Sequence, residues 1–507
     1  MLARLATFAI DGVRPRQVWV EVDIRAGLPT FTIVGLGDTA VRESRDRIRA
    51  AILNSGFDFP QLRITANLAP AFLRKVGPGF DAALGLGILA ASRQVPAQEL
   101  RAYAVFGELS LTGELRDSPG ALAVAEGAHR AGLARLIVPR ERAHEAALVD
   151  GLEIVAVHTL REAAEVVLGQ TPPPSLPEPV QLPRSTSPEP DLADVRGHQT
   201  PVLALQIAAA GGHNLLLEGA PGTGKTMLAR RLPSILPPMT SPEAVEVTRI
   251  HSIAGLHAHG LIDQRPFRAP HHTISAAGLV GGGSPPRSGE ATLAHHGVLF
   301  LDELTEFARP ALEALRQPLE DGSVTIVRSQ HALVLPTRFV LVAATNPCPC
   351  GFAGVDDRCR CAEADLRRYR RRLSGPLLDR MDLLVSVERP SEADLRASPT
   401  LSSAAARDIV AAARERQHAR LSGTDASCNA QLEMGALTRH AKLDAQADHV
   451  LARAYASGTL SARGRFRVLR VARTVADLAG TDRVLTEHVL TALSLRQRLA
   501  PQEVMAA

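Results

Sequence analysis

Alternating and apolar stretches in the first third of the chain predict a mixture of strands and helices. Residues 18–24 alternate between apolar and polar side chains, and 30–34 form a second strand-like stretch. Asp38 then provides an N-cap for a helix that extends to about Ser55, because its apolar side chains recur every three or four residues. The first block, residues 1–170, is therefore predicted to be an α/β domain.

Three further segments complete the predicted organisation. Residues 171–190 contain eight prolines, which exclude a helix or an interior strand and predict an extended linker. Residues 191–390 contain apolar strand-like runs separated by helical patterns, as expected for a second α/β domain. Residues 391–507 have helical periodicity and few strand signals, so we expect a helical domain. Its clearest apolar face is formed by Val468, Val471, Ala472, Val475 and Leu478.

Bulk composition adds only broad limits. The 507 residues suffice for about three domains, and the net charge is only +4 despite 57 lysines and arginines. Any surface that binds an anion must therefore be local. No apolar run is long enough to span a membrane, and the N-terminus lacks the pattern of a secretory signal. Four of the five cysteines are clustered, unlike a secreted disulfide framework. We expect a cytoplasmic protein.

The candidate chemistry begins with a glycine-rich loop that fits the pattern G-x-x-x-x-G-K-[ST]. It follows an apolar strand-like run and precedes a helix-like segment, which is the context that a phosphate-binding loop requires. Backbone N–H groups would surround the phosphates of ATP, with Lys225 on the β- and γ-phosphates and Thr226 on Mg²⁺. The alternative is a glycine-rich turn that binds nothing. The loop consists of Gly219, Ala220, Pro221, Gly222, Thr223, Gly224, Lys225 and Thr226.

Two further strand-like runs end in side chains that suit ATP hydrolysis. Residues 298–301 lead into Asp302, a candidate Mg²⁺ ligand, and Glu303, a candidate general base for the attacking water. The alternative is a strand followed by an acidic helix cap. The run that starts at Phe339 ends in Asn346, whose amide could contact the γ-phosphate or the water, the role called sensor 1. The alternative is a turn-forming Asn before Pro347.

Arg380 is the candidate catalytic group that a neighbouring subunit would use. An arginine at this position can reach the γ-phosphate in the adjacent subunit, as arginine fingers do. The alternative is a local ion pair with Asp379 or Asp382, since such surface pairs are common.

Two C-x-C pairs stand eight residues apart and consist of Cys348, Cys350, Cys359 and Cys361. Four thiolates this close suit tetrahedral Zn²⁺, although reduced cysteines in a mobile loop are the alternative. The histidine pairs at 271–272 and 295–296 are interpreted as packing and hydrogen-bonding groups rather than metal ligands.

Residues 367–372 hold five arginines in six positions. They could bind a phosphate backbone or pair with an adjacent subunit, and a solvated helix face is the equally weighted alternative. The chain contains only three tyrosines and one tryptophan. Any contacts to a nucleic acid should therefore be made to its backbone, be sensitive to salt and show little sequence specificity.

Several longer motifs resemble the magnesium-chelatase-like branch of the AAA+ ATPases, and within it the YifB/ComM family. They cover most of 191–507, and they are DLADVRG at 191–197, IAAAGGHN at 207–214, FRAPHH at 267–272, GEATLAHHGVLFLDE at 289–303, NPCPCG at 346–351, SGPLLDRMDL at 374–383, SARG at 461–464 and RVLRVART at 467–474.

This resemblance implies a P-loop AAA+ core over 191–390, a C-terminal helical lid over 391–507 and assembly into a ring, with a hexamer expected. It also implies that ATP and Mg²⁺ bind between subunits and that the partner is single-stranded or branched DNA. The implied activity is an ATP-dependent branch-migration helicase acting in homologous recombination or natural transformation. The sensor 2 role would fall on Arg463 or, as the second choice, on Arg470. DNA-contacting pore loops would lie at about 268–290, with Arg268 and Arg287 as candidates.

The first block resembles the Lon-type protease domain through KVGPGFD at 75–81, GELSLTGE at 107–114 and AHRAG at 128–132. That enzyme uses a Ser–Lys pair. Here the serine's place falls near Gly79 and the lysine's near Leu122, and neither residue can perform that chemistry. The resemblance therefore implies a Lon-like domain without protease activity that serves in assembly or in contacting a partner.

Three other functions stay open at this point. A magnesium-chelatase ATPase subunit is one, although the N-terminal block and the linker argue against it. An ATP-dependent protease is the second, and the missing Ser–Lys pair argues against it. The third is a non-motor scaffold that binds ATP as a switch.

Overall fold

The computed structural model divides the chain into two compact units. Unit 1 comprises Met1–Arg184 and Ser241–Ile262, and unit 2 comprises Ser185–Thr240 and Asp263–Ala507. Of the predicted linker, 171–190, residues 177–189 lie outside the described part of the chain. The described residues are 2–176, 190–256, 260–283, 287–328, 331–354, 358–372, 375–398, 401–458 and 460–496.

The strands and helices are numbered here along the chain. The strands are β1 Leu2–Asp11, β2 Arg14–Arg25, β3 Thr30–Val34, β4 Arg63–Ala69, β5 Tyr103–Val105, β6 Glu108–Leu109, β7 Leu115–Arg116, β8 Arg135–Pro139, β9 Glu153–Val157, β10 Leu215–Glu218, β11 Phe267–Arg268, β12 Gly281–Gly282, β13 Arg287–Ser288, β14 Val298–Leu301, β15 Ser323–Arg328, β16 His331–Pro336, β17 Val340–Thr345 and β18 Leu383–Ser386. The helices are α1 Thr39–Asn54, α2 Asp81–Ala91, α3 Ala121–Arg130, α4 Ala143–Ala146, α5 Leu160–Val167, α6 Gln199–Gly211, α7 Lys225–Ala229, α8 Leu232–Ile235, α9 Ser241–Ile253, α10 Ala276–Val280, α11 Glu290–Leu293, α12 Arg309–Ala314, α13 Arg316–Asp321, α14 Glu363–Arg372, α15 Gly375–Leu378, α16 Glu392–Arg396, α17 Ser403–Leu421, α18 Met434–Ala441, α19 Ala445–Ala456, α20 Ala462–Leu478 and α21 Thr486–Ser494.

Unit 1 is built on one mixed sheet with the strand order β3-β4-β2-β1-β5-β8-β9. The pairs β1–β2 and β2–β4 are antiparallel, whereas the outer pairs are parallel. The alternation of 18–24 is realised in β2, where Val18, Val20 and Val22 are fully buried between partly exposed polar residues. Helix α2 is buried along its whole length. The α/β prediction for this block is confirmed.

The helix predicted after Asp38 is α1. The Asp38 carboxylate accepts a hydrogen bond from the Val41 backbone N–H at 3.0 Å, and the helix ends at Ser55. Its buried side chains include Val41, Ile48 and Ile52, which repeat at helical spacing. The start, the end and the packing face of this helix are therefore all readable from local sequence.

Helix α9 belongs to unit 1 although the domain prediction included it in the 191–390 core. The Gly120 N–H donates to the Ser252 hydroxyl at 3.0 Å, and this hydroxyl in turn donates to Glu145. Arg249 pairs with Glu126 at 2.8 Å. An amphipathic helix shows in its sequence which face is buried, but not which core buries that face.

Unit 2 contains a sheet of five parallel strands in the order β11-β14-β17-β10-β18. Its central strands are short and apolar, and β14 is fully buried, as expected for strands covered on both faces. Because all five strands run in one direction, their carboxyl ends share one edge. The glycine-rich loop, the Asp302–Glu303 pair and Asn346 follow β10, β14 and β17 at that edge.

The C-terminal part of unit 2 is helical, as predicted, and comprises α17 to α21 in the described residues up to 496. Its core is continuous with the core beneath the sheet, since Leu205 of α6, Val298 of β14 and Val468 of α20 belong to one buried cluster. No helix among the described residues is both long enough and apolar enough to cross a membrane.

Candidate functional site

The glycine-rich loop joins β10 to α7, so the predicted strand, loop and helix are present. The backbone at Gly224 has φ 91°, a conformation that favours glycine. At Gly219 the restriction is space, because a Cβ atom would lie 2.3 Å from the backbone oxygen of Val387. The helix begins at Lys225, earlier than the sequence suggested, and breaks before α8.

The Lys225 ammonium group folds back against the backbone of the glycine-rich loop. It donates hydrogen bonds to the backbone oxygens of Gly219 at 2.6 Å and Ala220 at 2.9 Å, and to Asn346 Oδ1 at 3.1 Å. The residue is only 8% exposed. Burial lowers the pKa of Lys225, although the charges of Asp302, Glu218 and Glu303 act in the opposite direction. The predicted cation and the predicted sensor amide therefore meet.

Thr226 and Asp302 form the second contact across the sheet edge. The Thr226 hydroxyl donates to Asp302 Oδ2 at 2.8 Å, and the other carboxylate oxygen accepts the Glu303 N–H at 3.0 Å. Mg²⁺ prefers oxygen ligands and commonly takes one or two from the protein. Two oxygens this close on a rigid strand end and a helix start fit such a cation, so the residues suit the predicted magnesium site.

Glu303, which follows Asp302, has a largely exposed side chain. Its backbone has φ 50° and ψ 50°, which is uncommon for a residue with a side chain and is typical of functional positions. The side chain is 58% exposed and lies 3.6 Å from His272, measured from Oε2 to Nδ1. Sequence analysis missed this contact.

The other paired histidines pack and form hydrogen bonds, as predicted. The rings of His271 and His272 lie 4.1 Å apart, and those of His295 and His296 lie 4.0 Å apart. His271 shares a hydrogen bond with Thr273. His295 Nδ1 accepts the Arg338 N–H at 3.0 Å.

Arg380 is held inside its own subunit. Its guanidinium donates to the backbone oxygen of Pro376 at 2.6 Å and pairs with Glu320, and the residue is 8% exposed. The hydrogen bond from Arg380 lowers the pKa of Glu320. The alternative of a local pair with Asp379 or Asp382 is not what the structure has. The role of Arg380 in a neighbouring subunit stays a prediction.

Asp382 does not pair with Arg380 and belongs instead to a buried cluster with His213 and Arg467. It contacts His213 at 3.5 Å and Arg467 at 2.9 Å. Burial alone would raise the pKa of Asp382, but the hydrogen bond and charge of His213 and the charges of Arg467 and Arg470 lower it well below its usual range. This carboxylate therefore stays ionised and ties the end of the sheet to α20.

The two sensor 2 candidates occupy different environments on α20. Arg463 is exposed in the first turn of the helix, and its charge contributes to lowering the pKa of Glu320. Arg470 is partly buried and donates to the backbone oxygen of Leu432, inside the lid. Arg463 is thus the candidate whose charge acts on Glu320, the partner of Arg380, and the sensor 2 role of either arginine stays a prediction.

The four clustered cysteines converge. Every sulfur lies within 4.8 Å of the others, and the sulfur–sulfur distances are 3.3 Å for Cys348–Cys350, 3.9 Å for Cys348–Cys359 and 3.7 Å for Cys350–Cys359. A tetrahedral Zn²⁺ with bonds of about 2.3 Å places its sulfurs about 3.8 Å apart. Backbone N–H groups of Phe352 and Arg360 lower the pKa of Cys350 to about 6. Burial raises the pKa of Cys348, and the side-chain hydrogen bond with Cys350 raises that of Cys361, so among these three thiols Cys350 is the one that favours the thiolate. The donor set and spacing fit zinc.

The loop that carries the four cysteines also contacts the glycine-rich loop. A Cβ atom at Gly351 would lie 2.5 Å from Pro221 Cδ, so the two loops are in close contact there. Cys348 follows Asn346 by two residues. A change in the cysteine cluster would therefore act on both the glycine-rich loop and the sensor amide.

The predicted DNA-contacting arginines differ in availability. Arg268 is committed to Glu290 through two hydrogen bonds of 2.6 and 2.9 Å, which raise its pKa. Arg287 is exposed on β13. Part of the predicted pore segment, 284–286, lies outside the described residues.

In unit 1, Gly79 and Leu122 occupy the positions that correspond to the serine and lysine of the Lon-type protease. Neither residue can act in catalysis, and neither position has room for the catalytic residue. A Cβ atom at Gly79 would lie 2.5 Å from the Phe106 ring. Leu122 is fully buried on α3, with its N–H bonded to Glu145 at 2.7 Å. A serine at 79 would require Phe106 to move, which agrees with the absence of a Ser–Lys pair from these two positions.

Comparisons with known proteins identify three matching family descriptions. Magnesium chelatase, subunit ChlI, matches residues 191–395, a description of subunit ChlI of Mg-chelatase matches 20–142, and the ChlI C-terminal description matches 400–496. A chelatase description thus also matches the N-terminal block. This block does not by itself separate the chain from chelatase subunits.

Several relatives are similar over nearly the whole chain. Protein Rv2897c of Mycobacterium tuberculosis is 44% identical over 98% of this chain and 99% of its own length. YifB of Escherichia coli is 41% identical, and competence protein ComM of Haemophilus influenzae is 42% identical, each over 98% of this chain and 97% of its own length. Lon protease 2 of Bacillus subtilis is 30% identical over 108 residues, 21% of this chain and 19% of its own length.

Proposed function

Because this chain belongs to the YifB/ComM family of magnesium-chelatase-like proteins, we propose that it is an ATP-driven, ring-forming motor that acts on DNA. The observation that supports ATP hydrolysis most strongly is the meeting of three separate motifs at one sheet edge. Lys225 contacts Asn346 at 3.1 Å, and Thr226 contacts Asp302 at 2.8 Å, with Glu303 adjacent. An ordinary glycine-rich turn or an acidic helix cap would not require these contacts.

Each residue then has a distinct task. Lys225 exchanges the backbone oxygens of its own loop for the phosphate oxygens of ATP. Thr226 and Asp302 hold Mg²⁺, which when bound neutralises charge on the phosphates. Glu303 accepts a proton from the attacking water, and Asn346 orients that water or the γ-phosphate through its amide.

The ring is needed because each site is incomplete. Arg380 completes the site of the adjacent subunit after it leaves Glu320, and Arg463 contacts the phosphates from the lid. A hexamer is the proposed ring. Zinc bound by the four cysteines stiffens the loop that touches Pro221 and so stabilises the ATP-binding conformation.

The proposed action on DNA rests on the similarity to named relatives and not on the geometry of the ATP site. One full-length relative is named as a competence protein, which supports a role in natural transformation or homologous recombination, with branch migration as the activity. The matching chelatase descriptions support a second candidate, an ATPase subunit for metal insertion into a porphyrin.

The test is ATP turnover by the full-length protein with no DNA, single-stranded DNA, duplex DNA or a four-way junction, together with its oligomeric mass when ATP is bound. We expect an ATP-dependent ring whose turnover rises with DNA and is highest with the junction. Glu303→Gln should bind ATP but lose turnover and biological function. Retention of biological function by this variant would instead indicate a non-motor switch. Stimulation by a porphyrin-binding partner and not by DNA would indicate the chelatase function, and degradation of casein would indicate a protease.

A further inference from the structure

Helix α14 concentrates positive charge on one short element. Tyr369 is 6% exposed, while the arginines around it are all exposed. At about 100° per residue, the face opposite the tyrosine is formed by Arg367 and Arg371, with Arg368 and Arg370 on its two flanks. The helix therefore presents arginines to solvent and is anchored through a buried tyrosine.

Few acidic groups neutralise this face. Glu363 lies 3.7 Å from Arg367, and Asp365 lies 3.9 Å from Arg368, all with exposed side chains. Within the described residues, Arg370 and Arg371 form no ion pair. Guanidinium groups bind phosphates with two parallel hydrogen bonds. A nucleic-acid backbone, which presents phosphates at regular spacing, is therefore the partner that fits this surface best.

The same helix holds the turn that follows the proposed general base. Thr305 Oγ1 donates to the Tyr369 hydroxyl at 2.7 Å, and Arg372 Nη1 lies 3.5 Å from Glu306 Oε1. Both partners belong to the 3-10 turn Leu304–Glu306, whose last N–H donates to the backbone oxygen of Glu303 at 2.8 Å. Movement of α14 would thus be transmitted directly to Glu303.

Glu303 is held on its other side by His272, 3.6 Å away. Its backbone conformation, with φ 50°, is uncommon for a residue that carries a side chain. Glu303 therefore has two neighbouring groups that can influence it: His272 beside its carboxylate and the turn that contacts α14.

We propose that α14 is a nucleic-acid sensor that sets the position of Glu303, an inference that rests on the proposed function. Arg372 is exposed at the edge of the helix, nearer the side of Tyr369, and a phosphate backbone that extends from the arginine face to this edge draws Arg372 away from Glu306. The pair is about half exposed at both ends, and such pairs contribute little free energy and are screened by salt. The phosphates of DNA therefore compete with it successfully. The released turn lets Glu303 leave His272 and face the water that attacks ATP.

The experiment uses the full-length protein and compares ATP turnover with and without duplex DNA, alongside DNA affinity at several salt concentrations. Glu306→Gln removes the pair with Arg372, so turnover without DNA should rise about twofold to fivefold, the effect of one exposed ion pair. Tyr369→Phe removes the hydroxyl's bonds to Thr305 and Thr345 but keeps the ring, so the ratio of stimulated to basal turnover should fall toward one. The double variant Arg367→Gln/Arg371→Gln should reduce the salt dependence of DNA binding by about two phosphate contacts.

The matched controls are Glu153→Gln, which removes an exposed ion pair with Arg135 in unit 1, and Tyr455→Phe, an exposed tyrosine on α19. Neither should change the ratio. The inference is overturned if Glu306→Gln and Tyr369→Phe both keep the wild-type ratio, or if the arginine variant keeps the wild-type salt dependence. Stimulation by polyglutamate in place of DNA would assign the surface to an acidic protein partner and would also overturn it. Absence of any turnover in the wild type would contradict the proposed function itself.

Discussion

The substitution Gly219→Ala tests whether the glycine-rich loop is shaped to bind phosphate. A Cβ atom at this position would lie 2.3 Å from the Val387 backbone oxygen and 2.9 Å from the Thr223 hydroxyl. The neighbouring strand cannot retreat easily, because the Val387 N–H is bonded to the Glu218 oxygen at 2.7 Å. Relief of the clash requires a shift of about 1 Å, since unbonded atoms normally stay about 3.5 Å apart. We expect the loop to take most of that shift.

The effect on ATP affinity follows from hydrogen-bond geometry. Donor–acceptor distances of about 2.7–3.2 Å are needed for these bonds, so a displacement of about 1 Å breaks them. Loss of about two bonds to charged phosphates, at roughly 1.5–3 kcal/mol each, gives roughly 3–6 kcal/mol. ATP affinity should fall by about 10²- to 10⁴-fold. The overpacking itself should lower the free energy of unfolding by about 1–3 kcal/mol.

Gly222→Ala is the matched control in the same loop. No atom lies within 4 Å of a Cβ at Gly222, but its φ of 77° strains any side chain. That strain costs about 1–2 kcal/mol, so affinity should fall only about tenfold. The assay is a calorimetric titration with ATP and Mg²⁺, with circular dichroism to establish that both variants are folded. If folded Gly219→Ala bound ATP within about threefold of wild type, the steric argument and the proposed phosphate cradle would be refuted.

Two further predictions concern the cysteine cluster and unit 1. The purified protein should contain one zinc per chain, measured by mass spectrometry of the metal. Cys350→Ser should lose the zinc and bind ATP more weakly, whereas Cys428→Ser should keep the zinc. A metal-free wild type would contradict the zinc site. Burial raises the pKa of Asp81 to about 7 against the opposing effect of Arg47. Between about pH 4 and pH 7 the folded unit therefore binds more protons than the unfolded chain, and its free energy of unfolding should fall as the pH rises through this range. Asp81→Asn should flatten that dependence in thermal unfolding followed by Trp19, the only tryptophan, which lies in unit 1; parallel pH profiles for the two proteins would contradict the assignment.

The components of the candidate site could be predicted because each is local in sequence. The phosphate loop is a contiguous motif, and Glu303 and Asn346 both follow short apolar strands. A parallel sheet brings the carboxyl ends of its strands to one edge, so their meeting required only that the strands be neighbours. The observed order, with β17 between β14 and β10, satisfies that condition.

The contacts that hold Glu303 and Arg380 could not be predicted, because they join residues that are far apart in sequence. His272 contacts Glu303 from the turn that follows β11, a strand of only two residues that shows no periodicity. Glu320 on α13 meets Arg380 in the turn after α15, and helical periodicity does not specify which loop a helix contacts. The position of His272 after a strand adjacent to β14 was the one signal that could have identified it.

The central claim is that ATP is hydrolysed in a site that two subunits share, and a mixing experiment tests it most directly. Lys225→Ala lacks its own phosphate-binding cation but retains Arg380, and Arg380→Ala has the opposite defect. Each variant alone should form rings with little turnover. Rings assembled from equal amounts of both should regain about a quarter of wild-type turnover, because one junction in about four pairs an intact site with an intact arginine. No recovery on mixing, or full turnover by Arg380→Ala alone, would contradict the shared site.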